Sequence, residues 1–488
     1  MRSGLRAALW AVMGLTGLSG GCAVGPDYQR PSADFPLGWQ PSAPWQEAVP
    51  GDTLLKGKWW ELFQDPQLNP LVEQALGNNQ NLRVAAARLE QARDQLTIAG
   101  SALFPAVDLA ASASRSKISA NRPLAAYSFS SQSTVQNDFR VGPSVNWEID
   151  LFGRVRRHVE GARASAQQAQ ADFENTRLTL MAELTTDYFS LREIDAEIDV
   201  VRSSLELERG ALAFVSSRHD LGFATGLDLA QQESLLEAGA TQLELLQNRR
   251  AQFEHAIATM IGTPAPNFTL APAVSAPPLP TVPVGLPSDL LQRRPDVASA
   301  ERAMAAANAR IGVAKAAYFP IIDLAPGLAL PGLGWESTAL ANLLTAPSRI
   351  WSIGLSASQR LLDAGNTRAN VRFADADYAA AVATYRQTVL GAMEEVENGI
   401  TGLASLERAR IHADASVRSA EKAFDIASER YKGGVDTYLD VITAQQTLLT
   451  NRRQAAQIQG QQFATAVYLV KALGGGWSQP PPQVTRGD

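Results

Sequence analysis

The chain has 488 residues, a net charge of -6 at pH 7, 45% hydrophobic residues and one cysteine. The mild acidic balance and the absence of a basic run argue against a nucleic-acid-binding protein, and the single cysteine excludes an intramolecular disulfide. Beyond the N-terminus, no stretch reaches the length of about 18 consecutive apolar residues that is typical of a transmembrane helix.

The N-terminus has the composition of a secretory signal. Arg2 and Arg6 precede a short apolar run, which ends in a group of small residues. A positive start followed by a short apolar segment is typical of a signal that is cleaved after export. We therefore predict that residues 1–21 are a signal peptide.

Cys22 follows the signal directly and is the only cysteine. A cysteine after small residues at the end of a signal predicts a lipid-modified N-terminus, with palmitate among its acyl chains. The alternative is an ordinary signal followed by a free thiol. Ala23 stands where bacterial lipoproteins retained in the inner membrane carry aspartate, so the resemblance points to the outer membrane. Residues 22–65 are then a lipid-anchored N-terminal extension.

An internal repeat organises the rest of the chain. Residues 81–109 align without a gap on residues 296–324, with an offset of 215 (319 minus 104), and later positions align with an offset of 212 (434 minus 222). The chain therefore reads as a tandem duplication of one long unit. The predicted boundaries are 66–262 for the first repeat, 263–287 for a Pro-rich linker, 288–474 for the second repeat and 475–488 for a C-terminal tail.

Each repeat has the same predicted order of elements. A helical stretch (66–102 or 288–317) ends at Phe-Pro, which stops a helix and favours an extended chain. A β-hairpin follows, and then a breaker-poor run of about 65 residues, equivalent to about 100 Å of helix. A Gly-containing turn and a return helix complete the unit. The hairpins are predicted at 104–151 and 319–361, and the return helices end at Ile261 and Leu473.

The predicted strands have one apolar and one polar face. From Asp138 to Leu151, apolar and polar residues alternate, as in strands that face lipid on one side and a water-filled lumen on the other. A half-buried sheet of a soluble protein is the alternative. Four strands cannot close a membrane barrel, which needs about eight or more. The predicted fold class is an α+β membrane channel, in which three chains share a 12-stranded β-barrel above a long periplasmic α-helical barrel.

Several motifs resemble one known family. They are Cys22 to Tyr28, Trp59-Trp60, the segment from Leu286 to Val297, and the two Gly-x-x-Thr/Asp turns. Together these motifs resemble the TolC-like outer-membrane factors of bacterial efflux systems, and closely their lipoprotein branch, the NodT subfamily. The resemblance implies a homotrimer in the outer membrane that extends into the periplasm. It also implies a periplasmic adaptor protein at the helical tips and an inner-membrane pump, expected to be proton-driven.

The candidate periplasmic gate lies at residues 218–228 and 430–440. The resemblance places Asp440 in an acidic ring that narrows the mouth, with Asp228 as its counterpart in the first repeat, and Tyr431 matches a tip tyrosine. Three neighbouring carboxylates would repel one another and attract cations. Two departures from the family pattern weaken the comparison. Thr443 occupies a second acidic position, and Asp436 stands where some members carry a basic gating residue.

The same tips also have a structural interpretation. Thr225 and Thr437 each precede an aspartate by three residues, which is the spacing of a helix capping box. Gly222 and Gly434 are expected to provide the turn geometry. The resemblance implies adaptor docking at these four positions as well, and the two roles are compatible.

No catalytic, cofactor or metal site is predicted. The four histidines are isolated, and the chain has no phosphate-binding loop and no nucleophile elbow. We therefore expect a passive exit duct for small molecules or ions rather than an enzyme. Two alternatives stay open: a duct for type I protein secretion, and a non-conducting coiled-coil lipoprotein. The second would require sustained apolar heptads, whereas the long runs are rich in Ala and Gln.

Overall fold

The computed structural model describes residues 23–29, 57–118, 134–273, 277–280, 294–325, 333–352 and 354–475. The predicted signal peptide, Cys22, residues 274–276 and 281–287 of the linker, and residues 476–488 of the C-terminal tail lie outside the described residues. The chain divides into two compact units, and each contains segments of both predicted repeats. The first unit comprises 1–31, 89–169 and 300–384, and the second comprises 32–88, 170–299 and 385–488.

Seven α-helices lie in the described part of the chain. They are α1 (Leu68–Asn78), α2 (Gln80–Ser101), α3 (Arg154–Asp220), α4 (Gly226–Met260), α5 (Pro295–Ala316), α6 (Asn366–Lys432) and α7 (Tyr438–Ala472). The long helices α3 and α6 have 67 residues each, and the return helices α4 and α7 have 35 each. Equal lengths in the two copies confirm the duplicated unit. Among the described helices, none has the length and apolar character needed to cross a membrane.

The predicted single helix over 66–102 is divided into α1 and α2 at Asn79. The backbone of Asn79 is extended, with ψ of 128°, and its side-chain Oδ1 accepts a hydrogen bond of 3.0 Å from the amide of Leu82. The Nδ2 group of Asn79 donates to the carbonyl of Met260 at 2.8 Å. Asn79 therefore caps α2 and attaches it to the end of α4, which explains a break that helical periodicity did not predict.

Six strands in the described ranges form one sheet. They are β1 (Ala106–Ile118), β2 (Thr134–Glu148), β3 (Ile321–Ala325), β4 (Leu333–Ser337), β5 (Arg349–Trp351) and β6 (Gly354–Ser358). β1 and β2 form an uninterrupted antiparallel hairpin. β2 also pairs with β3 and β4, which pair in turn with β6 and β5. The second hairpin, predicted as two strands, consists of four short segments. Residues 326–332, part of its predicted first strand, lie outside the described residues.

Where β2 pairs with β3 and β4, the register places some residues of like polarity opposite one another. Trp147 of β2 lies opposite Leu324 of β3, and Arg140 of β2 lies opposite Glu336 of β4. The guanidinium of Arg140 is 3.1 Å from the carboxylate of Glu336 and 2.9 Å from that of Asp138. The strand alternation read from the sequence therefore extends across the sheet as a continuous two-faced surface.

An aromatic cluster lies in the core of the second unit. A 3-10 helix at Trp59–Phe63 buries Trp59, Trp60 and Phe63. The ring of Phe63 is 4.9 Å from that of Phe189 in α3, and Phe189 stacks on Phe463 of α7 at 4.5 Å. The Trp-Trp motif is therefore a packing element that joins the chain before α1 to two of the long helices.

The described end of the Leu286–Val297 motif is also structural. Arg294 is buried, and its guanidinium donates to the carboxylates of Asp296 and Glu395, each at 2.6 Å, and to the carbonyl of Ala472 at 3.0 Å. Arg294 therefore attaches the start of α5 to α6 and to the end of α7. The preceding part of the motif lies outside the described residues.

Candidate functional site: the two helix-tip turns

Both candidate gate segments are turns between a long helix and its return helix. The first tip (residues 218–228) connects α3 to α4, and the second tip (residues 430–440) connects α6 to α7. Both lie in the second compact unit. The two tips can therefore be compared residue by residue.

The two long helices end in the same way. Gly222 has φ of 77° and Gly434 has φ of 71°, a left-handed conformation that favours glycine. The amide of the residue after each glycine donates to the carbonyl of Arg218 at 2.7 Å or of Arg430 at 3.0 Å, which closes a Schellman motif. A Cβ added at either glycine would meet no atom within 4 Å in the described ranges, its chain neighbours aside, so backbone conformation rather than space requires glycine there.

The first return helix begins with a complete capping box. The amide of Asp228 donates to Oγ1 of Thr225 at 3.2 Å, and the amide of Thr225 donates to Oδ2 of Asp228 at 2.9 Å. Two amides that have no partner within the helix are therefore satisfied, and a negative charge lies at the positive end of α4. The carboxylate of Asp228 is largely occupied by this cap.

The second return helix lacks the complete box. The hydroxyl of Thr437 donates to Oδ2 of Asp440 at 2.8 Å, but the side chain of Thr437 makes no capping bond to the backbone of α7. The amide of Asp440 instead donates to the carbonyl of Thr437 at 3.3 Å. Asp440 is exposed, so its carboxylate has more capacity for an external partner than that of Asp228.

The second tip has an ion pair that stabilises the turn in place of the complete capping box. The guanidinium of Arg430 donates to both carboxylate oxygens of Asp436, at 2.5 and 2.8 Å. This bidentate contact lowers the pKa of Asp436 and raises that of Arg430. Asp436, which stands where some family members carry a basic gating residue, is therefore bound within its own turn.

Tyr431 is buried beneath the tips rather than directed into open solvent. Its side chain is 8% exposed, its ring lies 4.9 Å from that of Tyr438, and the guanidinium of Arg218 lies over it at 4.9 Å. The hydroxyl of Tyr431 has no hydrogen-bond partner among the described residues. Burial raises the pKa of Tyr431. Its contacts are those of a packing residue, and its predicted gating role stays a prediction.

A polar link between the two repeats was missed by sequence reasoning. The hydroxyl of Tyr438 in α7 donates to Oε1 of Gln232 in α4 at 2.6 Å, and Nε2 of Gln232 donates to the carbonyl of Glu208 in α3 at 3.0 Å. All three residues are buried. Tyr438 and Gln232 are 206 residues apart, so no local pattern could have paired them.

Exposed apolar side chains surround both turns. They were not singled out from the sequence, although each follows or adjoins a turn glycine or a capping threonine. The exposed fractions are 68% for Leu221, 71% for Phe223, 66% for Leu227, 68% for Val435 and 56% for Leu439. Such a group of exposed apolar residues on a helical tip is suited to contact with another protein.

A second candidate site, at the predicted lipid anchor, lies in the first compact unit. Cys22 is outside the described residues, but the segment after it is firmly held. The guanidinium of Arg157 in α3 donates to the carboxylate of Asp27 at 2.8 Å and to the carbonyls of Gly25 and Val24 at 3.3 and 3.4 Å. The Arg157 side chain is 6% exposed. The chain directly after Cys22 is therefore fixed against the start of α3.

Comparison with known sequences gives two results. A family model described as outer membrane efflux protein matches residues 71–263 and 286–475. The toluene efflux pump outer membrane protein TtgI of Pseudomonas putida is 33% identical over 472 residues, covering 94% of this chain and 96% of that protein. The pyoverdine export outer membrane protein OpmQ of the same species is 32% identical over 449 residues, covering 92% of this chain and 93% of that protein.

Comparison with solved structures gives the same result. The outer-membrane channel OprN superposes with a TM-score of 0.84 at 31% sequence identity, covering 93% of this chain and all of OprN. The match includes both copies of the duplicated unit and confirms the predicted fold class of a trimeric channel with long helices.

Proposed function

This chain belongs to the outer membrane efflux protein family, and we propose that the cargo it releases consists of small organic molecules. It is the outer-membrane component of an efflux system, a trimeric channel that extends into the periplasm and works with a periplasmic adaptor and an inner-membrane pump. We further propose that it is a passive duct with no catalytic step and no cofactor, and that its pump is proton-driven.

The nearly full-length similarity to TtgI and OpmQ carries the proposal on cargo. The name of TtgI refers to toluene and that of OpmQ to pyoverdine, and both compounds are small molecules. The match extends over both repeats, including the tips. Cargo of this size favours a solute channel over the alternative of a protein-secretion duct.

Deletion of the gene in its own host tests the cargo. We expect the deletion strain to accumulate toluene and hydrophobic fluorescent dyes to a higher level than the parent, and a plasmid copy to restore the parental level. The set of secreted proteins should be unchanged. Loss of a secreted protein without any change in dye accumulation would establish the protein-secretion alternative.

We propose that Asp440 is the main charged group of the periplasmic gate. Its carboxylate is exposed and is held only by the hydroxyl of Thr437 within the described part of the chain, whereas that of Asp228 accepts hydrogen bonds from both the amide and the hydroxyl of Thr225. Three exposed carboxylates around the axis of a trimer would attract cations. Tyr431 would act beneath them by packing against Arg218. Asp228 is then a secondary member of the gate.

Single-channel conductance in a planar bilayer tests this assignment. We expect Asp440→Ala to reduce the preference of the purified trimer for cations and to weaken its block by divalent cations. Asp228→Ala serves as the matched control and should leave both properties nearly unchanged. If neither substitution alters selectivity, the gate lies elsewhere.

We propose that the adaptor docks on the tips around Gly222, Thr225, Gly434 and Thr437. The exposed apolar residues beside these positions support this assignment. Replacement of Phe223 and Val435 by serine should abolish chemical crosslinking to the adaptor in cells while the trimer remains intact. Unchanged crosslinking would place the docking surface elsewhere.

We propose that Cys22 carries a covalent lipid, including palmitate. The support is its position after the predicted signal, together with the Arg157 contacts that fix the following segment. Intact mass measurement of the purified protein should show a tri-acylated N-terminus. Cys22→Ser should lack this mass. An unmodified thiol in the wild-type protein would refute the anchor.

A further inference from the structure

The first β-hairpin carries two basic residues on its apolar face. β1 and β2 pair from Ala106 to Ile118 without interruption, so side chains two positions apart share a face along the whole strand. Val107 and Leu109, which are 67% and 78% exposed, therefore share a face with Arg115 and Lys117. Both basic residues are exposed.

These two charges have no partner in the described part of the chain. No ion pair or hydrogen bond of the described residues involves the guanidinium of Arg115 or the ammonium of Lys117. The opposite face behaves differently, since Arg140 lies between Asp138 and Glu336 at 2.9 and 3.1 Å. The basic residue on the polar face is neutralised within the chain, whereas those on the apolar face are not.

The sequence around the hairpin supplies no compensating acid. Between Asp108 and Asp138 there is no aspartate or glutamate. The positions equivalent to Arg115 and Lys117 in the second repeat, at the offset of 215, hold Leu330 and Gly332. The pair of Arg115 and Lys117 therefore has no equivalent in the second repeat and occurs once per chain, or three times per trimer.

β1 is longer than the apolar part of a membrane. Its 13 residues span about 44 Å, or about 34 Å across a membrane at a tilt of about 40°. The apolar band that such strands present is about 25 Å tall. One or both ends of β1 must therefore lie among lipid headgroups. Ala106 adjoins the helical end, which is periplasmic, so Lys117 is near the outer end.

We propose that Arg115 and Lys117 form a binding site for the phosphate groups of lipids in the outer leaflet of the outer membrane. Adjacent guanidinium and ammonium groups above an exposed apolar surface match a molecule that has phosphate on its headgroup and acyl chains below it. Phosphorylated glycolipid has this chemistry. The site would hold the channel at a fixed depth and favour its retention in the outer membrane.

Native mass spectrometry of the purified full-length trimer tests the site. The probe is a bis-phosphorylated lipid A, compared with the same glycolipid after removal of its phosphates. We expect the wild type to retain the phosphorylated form, with an occupancy about tenfold higher than that of Arg115→Gln/Lys117→Gln. The conservative exchange Arg115→Lys/Lys117→Arg should retain most of the binding. Arg83→Gln/Arg88→Gln, which removes two exposed charges from α2, is the matched control and should bind like the wild type.

Two results of the retention comparison would overturn the proposal. One is equal retention of phosphorylated lipid by the wild type and the double glutamine variant. The other is equal retention of the phosphorylated and phosphate-free glycolipids by the wild type, a comparison that holds even if the variant fails to assemble. Displacement of the lipid by millimolar inorganic phosphate alone would assign the site to free anions and would also refute the proposal of a lipid site. Neither measurement depends on the cargo or on the gate.

Discussion

The two helix tips share the turn glycine, the capping threonine and the aspartate three residues after it, yet they are stabilised differently. The first tip has a complete capping box between Thr225 and Asp228, and the second has only the hydroxyl contact between Thr437 and Asp440. The second tip instead has an ion pair between Arg430 and Asp436, together with two buried tyrosines, Tyr431 and Tyr438. Duplication therefore preserved the turn but not the interactions that hold it.

The differences come from positions that the repeat does not conserve. At the offset of 212 residues, Asp436 corresponds to Ala224, Tyr431 to His219 and Tyr438 to Gly226. The second tip thus contributes an ion pair and two large rings that the first tip lacks. The first repeat contributes Arg218, which lies over the ring of Tyr431, and Gln232 of α4, which accepts a hydrogen bond from the hydroxyl of Tyr438. The two tips are complementary parts of one cluster rather than two copies of one site.

Removal of a buried ring should have the greatest effect on this cluster. We expect Tyr431→Ala to lower the free energy of local opening at both tips by about 3 kcal/mol, because a large side chain is replaced by a cavity. Amide hydrogen exchange of the ends of α3 and α6 measures this change. Phe214→Ala, at a ring that is 42% exposed, is the control and should cost less. Unchanged exchange in the first tip would show that the tips are independent.

Removal of the hydroxyl group should have different effects on stability at the two buried tyrosines, Tyr438 and Tyr431. Tyr438→Phe leaves the side chain of Gln232 without its 2.6 Å donor, so we expect a loss of about 2 kcal/mol. Tyr431→Phe removes a hydroxyl that has no partner among the described residues and should be nearly neutral. Hydrogen exchange and thermal melting of the trimer report both effects. A costly Tyr431→Phe would reveal a partner for that hydroxyl in the assembled trimer.

Substitution of the turn glycines should affect the two tips equally. Gly222→Ala and Gly434→Ala each place a Cβ in a left-handed conformation, at a cost of about 1 kcal/mol. Hydrogen exchange at the adjoining helix ends should show similar losses. A much larger loss at one glycine would mean that a contact outside the single chain, such as the adaptor or a neighbouring protomer, also constrains that turn.

Replacement of the capping threonines should destabilise the two tips to different extents. Thr225→Ala breaks a complete box and should cost about 1 kcal/mol, whereas Thr437→Ala should cost about 0.3 kcal/mol. Amide hydrogen exchange at the starts of α4 and α7, which reports fraying of each helix, measures the difference in cost. Equal costs would indicate that Thr437 also caps the backbone in solution.

A pH dependence confined to the second tip should be the smallest effect. The contact with Arg430 lowers the pKa of Asp436, so the folded state favours the charged carboxylate. The stabilisation is therefore complete above the ordinary pKa of an aspartate, about 4, and is lost as the pH falls through the lowered value. Hydrogen exchange corrected for intrinsic rates should show the second tip loosening first below about pH 4. Asp436→Asn should abolish that difference between the tips.

Features governed by local interactions could be predicted from the sequence. The ends of the four long helices follow from glycines that must adopt a left-handed conformation and from threonines with an acid three residues later. Strand faces follow from alternation, which the register of β1 with β2 preserves. The break at Asn79 escaped prediction because one side chain outweighs the periodicity on either side of it.

The candidate gate was only partly predictable, because its residues have different environments in the folded chain. Asp228 and Asp440 are equivalent in sequence, yet one is occupied by a cap and the other is exposed. Tyr431 matches a tip tyrosine of the family by resemblance, and in the folded chain it is packed under the guanidinium of Arg218. The packing of Tyr431 depends on a residue from the other repeat, so it could not be read from a motif.

The sequence by itself determined the duplicated plan, the helix lengths and the two-faced strands, because each depends on interactions within a few residues or on a repeated pattern. Only the tertiary structure decided how the two tips share one cluster, since Tyr438 and Gln232 meet across 206 residues. The packing of long helices brings such pairs together, and burial then makes every unpaired polar atom costly.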